Sequence, residues 1–326
     1  MPYNLLHAVE HAGGIVLCAY LAAEMVGFVA SFQGTLHGKR IHWSHMAAVH
    51  PAFQGQGIGL ALKRAQREAA LGQGISAIAW TFDPLRWRNA NFNFRVLGGT
   101  ARTLLQEHYG EMTDGLNQGL VSDRFEFLWA LKDRRTLRCL AGERLPLVQG
   151  PLPGVWALRA QGGQPEPGIP HPANSVLLEL PLDIDAVRRA DLGLARAWYL
   201  AFREAVQPWF RASWQVDGLA RPQAETFAYV LVPPVAWVVY LLETADGTLY
   251  TGITNQLERR LQQHNQGKGA RYTATRRPVS LLAAWQTANR AEASRLENLL
   301  KKRSRAQKLA LVTEPGQDFQ GAPRIL

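Results

Sequence analysis

Two cysteines, Cys18 and Cys139, are all that the 326 residues contain, and they stand far apart. That scarcity excludes a disulfide framework and a cysteine-built zinc site, and it fits a reducing, cytoplasmic setting. No run of 18 apolar residues occurs, the stretch from Ile15 being cut at Glu24, so no membrane-spanning helix is expected. Lys and Arg are absent before Lys39, so the basic region of a secretory signal is missing. No segment repeats with a period of 20–50 residues. What remains is an ordinary globular composition. Apolar residues make up 47% and charged residues 19%, enough core for two domains with room for a third.

The charge is unevenly placed. Residues 1–234 hold 22 Lys and Arg against 19 Asp and Glu, a net +3. Residues 235–312 hold 13 against 5, a net +8, and the last 14 hold 1 against 2. A compact module that dense in cations is either a well-solvated face or a binder of phosphate backbones.

Pattern divides the chain further. Residues 1–140 alternate strand-like and helix-like segments, as in an α/β domain. Seven Pro and six Gly crowd Ala141–Pro172, which predicts an irregular surface connection over 141–174. Order returns over 175–232, with strands at Val176–Leu180 and Phe227–Val232 and one long helix, Asp185–Val206, ended by Pro208. Pro233-Pro234 makes a stiff joint within a 233–235 linker. Residues 236–312 form a compact unit, and 313–326 are expected to be a frayed tail.

Two places carry chemistry. In the first, a strand at His45–Val49 runs into Gln54-Gly55-Gln56-Gly57-Ile58-Gly59 and then a helix to about Leu71. Ile58, Leu62, Ala65 and Ala69 would form its buried face. Glycines at such a turn let backbone N–H groups approach a phosphate, and the helix dipole favours the negative charge. The bland alternative is a tight turn without a ligand. The segment Val49-His50-Pro51-Ala52-Phe53-Gln54-Gly55-Gln56-Gly57-Ile58-Gly59 resembles the acyl-CoA motif of the GNAT acyltransferase superfamily, (Arg/Gln)-x-x-Gly-x-(Gly/Ala), met here by Gln54, Gly57 and Gly59. The resemblance covers roughly residues 1–232. It implies a mixed sheet with flanking helices and an acyl-CoA such as acetyl-CoA, with an amine as acceptor. The cofactor would be held by Val49, Gln54, Gly55, Gln56, Gly57, Ile58 and Gly59.

Ala77–Thr81 would be the next strand, splayed to admit pantetheine, and Ala90, Phe94, Leu97 and Gly98 fit the following helix. The stretches Thr81-Phe82-Asp83-Pro84, Met112-Thr113-Asp114-Gly115 and Ser122-Asp123-Arg124-Phe125 resemble one GNAT subfamily with an additional carboxy-terminal half, some of whose members are linked to N-acylation of amino acids. The chain departs from the family pattern in three ways. The strand and two helices that normally precede the segment near Leu5 are not expected, because the sequence begins after their place in the pattern. Trp87 stands where an Asn is usual, with Asn89 nearby, and Phe94 stands where a Tyr often protonates the leaving thiolate. His45 and Asp83, at strand ends beside the cleft, are the general-base candidates, against a plain structural role for each.

The second place lies in the basic module. Trp237–Leu242 and Leu249–Ile253 read as strands joined through Ala245-Asp246-Gly247. A two-residue loop would put Tyr240 and Tyr250 on opposite faces; a three-residue loop, with Gly247 as a bulge, would put them on one. A helix from about Gln256 to Asn265 buries Leu257 and Leu261 and projects Arg260 and His264 together, one turn apart. A basic loop with Lys268, Arg271, Arg276 and Arg277 follows, then a strand at Val279–Thr287. A helix over Ala291–Lys302 turns Ala293, Leu296 and Leu300 inward, with Glu297 beside that apolar stripe, where a carboxylate needs a cation or partner. Ser304 and Gln307 form a capping box for a last short helix.

This order is similar to that of the GIY-YIG nuclease family over residues 236–312, and Gly267–Thr273 looks closest to its small stand-alone bacterial branch. Val239-Tyr240 and Tyr250-Thr251-Gly252 stand for the two halves of its signature, Leu257–Arg260 with His264 for its arginine helix, and Leu296-Glu297 for its metal-carboxylate helix. Val239 replaces Gly-Ile, Thr251 replaces Ile, and Leu309 falls near the place of a late Asn in the repair-nuclease branch. The resemblance implies a small three-stranded antiparallel sheet flanked by helices, DNA as partner (branched or flap structures included), and phosphodiester hydrolysis with Mg²⁺. Tyr240, Tyr250, Arg260, His264 and Glu297 would be the catalytic residues, Glu297 the metal ligand, and Lys268, Arg271, Arg276 and Arg277 the nucleic-acid contacts. Hydrolysis needs an activated water and charge neutralisation on the phosphoryl oxygens. Tyr240 is the expected base, with the swap to Tyr250 open, Arg260 the donor to phosphate and His264 a proton shuttle. The expected whole is an acyltransferase-like domain fused to an endonuclease. The competing expectation is a nucleic-acid-binding protein built on two degenerate enzyme folds.

Overall fold

The computed structural model describes residues 3–110, 120–149, 152, 154–168, 175–234, 236–287, 289–313 and 318–325. Met112–Gly115 lies outside them. The chain divides into two compact units, Met1–Pro233 and Pro234–Leu326, and among the described residues no helix is long and apolar enough to cross a membrane.

The larger unit is built on one mixed sheet. Helix α1 (Tyr3–His11) precedes the antiparallel strands β1 (Ile15–Leu21), β2 (Glu24–Leu36) and β3 (Lys39–Val49). Helix α2 (Ile58–Gly72) leads to β4 (Ala77–Phe82), and a helix α3 (Trp87–Ala90) continues as a π-helical stretch, Asn91–Leu97. The strands β5 (Thr100–Leu105) and β6 (Arg124–Ala130) and the helix α4 (Arg134–Leu140) complete the first half. The sheet then continues through β7 (Leu147–Gln149), β8 (Val155–Gln161), β9 (Gln164–Pro167), β10 (Val176–Pro181), β11 (Gln215–Arg221) and β12 (Thr226–Val232). Its order is β1-β2-β3-β4-β6-β5-β11-β12-β10-β8-β9, with β7 beside β11.

Three expectations are corrected here. The Pro- and Gly-rich connection is not irregular throughout, because it supplies β7, β8 and β9. Gln161 pairs with Gln164 across Gly162-Gly163, and both glycines have positive φ, the requirement of a tight two-residue hairpin. The single helix over Asp185–Val206 is two, α5 (Ile184–Ala190) and α6 (Leu192–Arg211). They break at Asp191, whose carboxylate caps α6 by accepting from Leu194 N at 2.9 Å. Nor does Pro208 end α6. A Pro forfeits one donor, and the last turn still closes through Ala212 N to Pro208 O.

The core explains why the two halves share a sheet. Ala195, Trp198, Tyr199, Phe202 and Val206 recur at helical spacing along α6 and are buried. They meet an aromatic cluster in which Phe125 contacts Phe82, Phe202, Phe210 and Tyr229. Two carboxylates pin α6 to the first half. Tyr199 Oη donates to Asp83 Oδ2 at 2.6 Å, and Arg203 donates twice to Asp123, at 2.8 and 2.7 Å.

The smaller unit has the sheet order β14-β13-β15, all antiparallel: β13 (Trp237–Thr244), β14 (Leu249–Thr254) and β15 (Val279–Thr287). Helix α7 (Leu257–Asn265) and the short α8 (Arg271–Ala274) follow β14, and α9 (Arg290–Lys301) and α10 (Arg305–Thr313) follow β15. Alternation along β13 sorts the two layers. Val239 and Leu241 pack with Ala293, Leu296 and Leu300 of α9, whereas Tyr240 and Leu242 pack with Tyr250, Leu257 and Leu261. The capping box forms, Gln307 N donating to Ser304 Oγ and Ser304 N to Gln307 Oε1. The expected frayed tail is corrected too. Phe319 and Ala322 are buried, and Ile325 N donates to Ala284 O, so the described end of the chain packs along β15.

Candidate active sites

In the first unit, β3 and β4 run parallel but pair only at His42–Ile78 and Trp43–Ala79. Beyond that they part, and a cleft of about 490 Å³ opens, lined by Ser44, Val49, Gln54, Gly59, Lys63 and Trp80 among others. The glycine turn closes its far end. Gly55 and Gly57 have φ of 81° and 85°, a left-handed backbone that only glycine adopts freely. Gln54 braces the turn through Nε2 to Val49 O at 3.1 Å. The first bond within α2 is Ala61 N to Gly57 O, so the N–H groups of Ile58, Gly59 and Leu60 stand before it without a helical acceptor.

The two base candidates separate. His45 is exposed and lines the cleft. Asp83 is buried and fully engaged, accepting from Leu85 N, Arg86 Nε and Tyr199 Oη, so it is a structural carboxylate. Phe94 is buried against Phe82, Phe127 and Tyr229 and has no proton to give. The predicted face of α2 is also corrected. Leu62, Lys63, Gln66 and Ala70 are buried, while Ala65 is exposed.

In the second unit the hairpin parity is decided by the register. Tyr240 faces Gly252, Leu242 faces Tyr250, and Thr244 N bonds Thr248 O. The loop therefore has three residues, and both tyrosines share a face, ring centroids 6.4 Å apart. Helix α7 places Arg260 and His264 over that face. Arg260 Nε donates to Tyr240 Oη at 3.3 Å, its guanidinium also reaches the Tyr250 hydroxyl, and Tyr240 Oη lies 3.0 Å from His264 Nε2. Two glycines make the room. A Cβ on Gly252 would sit 2.4 Å from Tyr240 Oη, and one on Gly269 would sit 2.5 Å from His264 Nδ1.

Donor counting assigns the protons. Thr273 Oγ1 donates to Ala270 O at 3.0 Å, so at 2.6 Å it accepts from His264 Nδ1. His264 Nε2 is then the acceptor for the Tyr240 hydroxyl. Burial, with Arg260 adding to it, pushes the His264 pKa down to about 4, so the ring stays neutral. Burial pushes Tyr240 up to about 12, with Tyr250 and Glu297 adding and Arg260 opposing, so the phenol keeps its proton. Glu297 comes from α9, on the other layer. Its side chain is 18% exposed, and Oε1 meets Lys301 Nζ at 2.9 Å.

A family model described as the GIY-YIG catalytic domain matches residues 236–310. The UPF0213 protein of Nitratidesulfovibrio vulgaris is 51% identical over 82 residues, 25% of this chain and 74% of that protein. Through this domain the chain belongs to the GIY-YIG family. Residues 2–92 match the acetyltransferase (GNAT) family model, so a GNAT domain precedes the GIY-YIG domain. Among solved structures, an aminoglycoside acetyltransferase from an uncultured soil metagenomic sample is 25% identical over 22% of this chain and 48% of its own, with a TM-score of 0.21. The chain thus spans less than half of that protein. A GNAT-family acetyltransferase of Streptococcus pneumoniae is 16% identical over 38% and 72%, with a TM-score of 0.33.

The four basic residues expected to meet nucleic acid fare differently within the GIY-YIG domain. Lys268, Arg271 and Arg277 are exposed. Arg276 is held instead, 2.9 Å from Asp246 and over the Tyr272 ring, which stacks on Tyr250. Two residues escaped the sequence reading. Thr273, in the short α8, fixes His264, but a threonine in a stretch that reads as a basic loop carries no signal of its own. Lys63 is a lysine on a buried face, which hydrophobic periodicity passes over.

Proposed function

We propose that the chain joins an acyl-CoA-dependent N-acyltransferase domain to a Mg²⁺-dependent DNA endonuclease acting in the cytoplasm, with branched or flap DNA among its substrates. The observation that carries the nuclease half is the hydrogen-bonded line from Arg260 through Tyr240 to neutral His264. A water beside the Tyr240 oxygen can give up its proton there while Tyr240 passes its own to His264 Nε2, so the phenol stays neutral and the proton ends on the histidine as a transient imidazolium that balances the hydroxide formed. Arg260 then faces the non-bridging phosphate oxygens, and Tyr250 orients the water or the phosphate. Exposed Lys268, Arg271 and Arg277 hold the backbone on either side.

Mg²⁺ suits the Glu297 carboxylate. It takes one or two carboxylates and completes its shell with water and phosphate oxygens, and Glu297 is partly exposed and held only by a flexible lysine. When bound, the ion supplies neutralisation of charge on the phosphoryl group. Among the described residues no three His, Cys, Asp or Glu side chains gather into a competing cage.

The expected result is that wild-type protein nicks supercoiled or branched DNA with Mg²⁺ and that Glu297→Ala does so at least about a hundredfold more slowly. Equal cleavage by both would remove the nuclease assignment. For the first domain, the left-handed glycines and unbonded amides at the start of α2 support an acyl-CoA pyrophosphate site.

A further inference from the structure

Lys63 sits where the cleft ends. Ser44 and Trp80 are the first residues past the last paired positions of β3 and β4, and Lys63 enters that fork from α2. Its Nζ donates to Ser44 Oγ at 2.9 Å and to Gln66 Oε1 at 3.1 Å and lies 3.9 Å above the Trp80 ring. Every one of these neighbours is neutral, no Asp or Glu is among the described residues that line the cleft, and Lys63 is only 5% exposed. A buried ammonium without an anion is costly. From Ser44 to Val49 the open wedge runs about 17 Å at roughly 3.3 Å per residue, and it leads from the glycine turn to this amine. An acyl-CoA held by its pyrophosphate at the turn therefore brings its thioester end towards Lys63.

We propose that the Lys63 amine is an acyl-group acceptor: Nζ takes the acyl group from an acyl-CoA bound in the cleft and becomes an ε-N-acyl-lysine. This rests on the acyl-CoA reading of the same cleft. The nitrogen lone pair forms the bond to the thioester carbonyl carbon, the C–S bond breaks with its electron pair on sulfur, and the proton lost by nitrogen completes the free thiol. The product amide is neutral, so acylation removes the cost of burying a cation and fills the closed end of the wedge. Reactivity follows from the surroundings. Burial holds the amine down to about 7, so much of it is free base at neutral pH, the usual way a desolvated lysine becomes a nucleophile.

The test uses the full chain and acetyl-CoA, with binding followed by calorimetry and acetylation of each lysine followed by peptide mass spectrometry across pH. Lys63 is expected to be acetylated at least about tenfold faster at pH 7.5 than exposed Lys39 and Lys132. Its rate should level off above about pH 7. Lys63→Arg should abolish the modification at that position and leave the slow background elsewhere. If acetyl-CoA binds and Lys63 is acetylated no faster than the exposed lysines, the inference is overturned and the acyl-CoA reading stands. If millimolar acetyl-CoA gives no binding, the acyl-CoA reading itself fails and this inference goes with it.

Discussion

Tyr240→Phe is expected to slow single-turnover DNA cleavage by about a thousandfold, within the range that loss of a positioned general base or acid produces and equal to about 4 kcal/mol of barrier. The hydroxyl removed is the middle of the line: it accepts from Arg260 Nε and donates to His264 Nε2. Tyr250→Phe should cost far less, about tenfold, because its hydroxyl meets Arg260 but has no path to the histidine. The two substitutions thus decide which tyrosine is the base. A larger loss for Tyr250→Phe would reverse the assignment. DNA affinity should hold in both variants, since the exposed cations are untouched. Tyr240→Phe also strands His264 Nε2 in a buried place, which costs about 1–3 kcal/mol of stability. Rates should therefore be compared well below the variant's unfolding midpoint.

How much of this was legible beforehand depended on whether a residue obeyed the rule for its position. The hairpin parity was legible because side chains alternate strictly along a strand, so a shared face for Tyr240 and Tyr250 demanded the three-residue loop that the register shows. Arg260 and His264 were legible for the matching reason on a helix. Lys63 and Gln66 were not, because they break the apolar face of α2 and satisfy each other and Ser44 inside it. Asp83 and Asp123 were visible as polar residues in quotable stretches, yet their partners Tyr199 and Arg203 lie 116 and 80 residues on. No local pattern points across that distance. The strands β7 to β9 were hidden by composition. Their prolines and glycines spelled a loop, while the Gly162-Gly163 pair, the one hairpin signal there, was counted among the breakers.

Gly252→Ala is expected to be as damaging to cleavage as the loss of the Tyr240 hydroxyl, although it adds only a methyl group. Gly252 faces Tyr240 across β13 and β14, and the phenol ring lies over it, where an added Cβ would come within 2.6 Å of Tyr240 Cζ. The backbone at Gly252 has no left-handed φ to protect, so the requirement is for space alone. The ring has no easy retreat, being buried between His264 and Tyr250. It must tilt, and a tilt sufficient to clear the methyl group draws Oη out of reach of Arg260 and His264. Overpacking of this kind costs about 1–3 kcal/mol, which for a domain of this size lowers the midpoint by roughly 4–8 °C per kcal/mol. A double-mutant cycle separates lost geometry from lost stability. Once Tyr240→Phe has removed the hydroxyl, adding Gly252→Ala should slow cleavage by no more than about threefold while still lowering the midpoint. Wild-type cleavage by Gly252→Ala would show that the ring is not held over that glycine in the working enzyme, and the proton path through Tyr240 would fall with it.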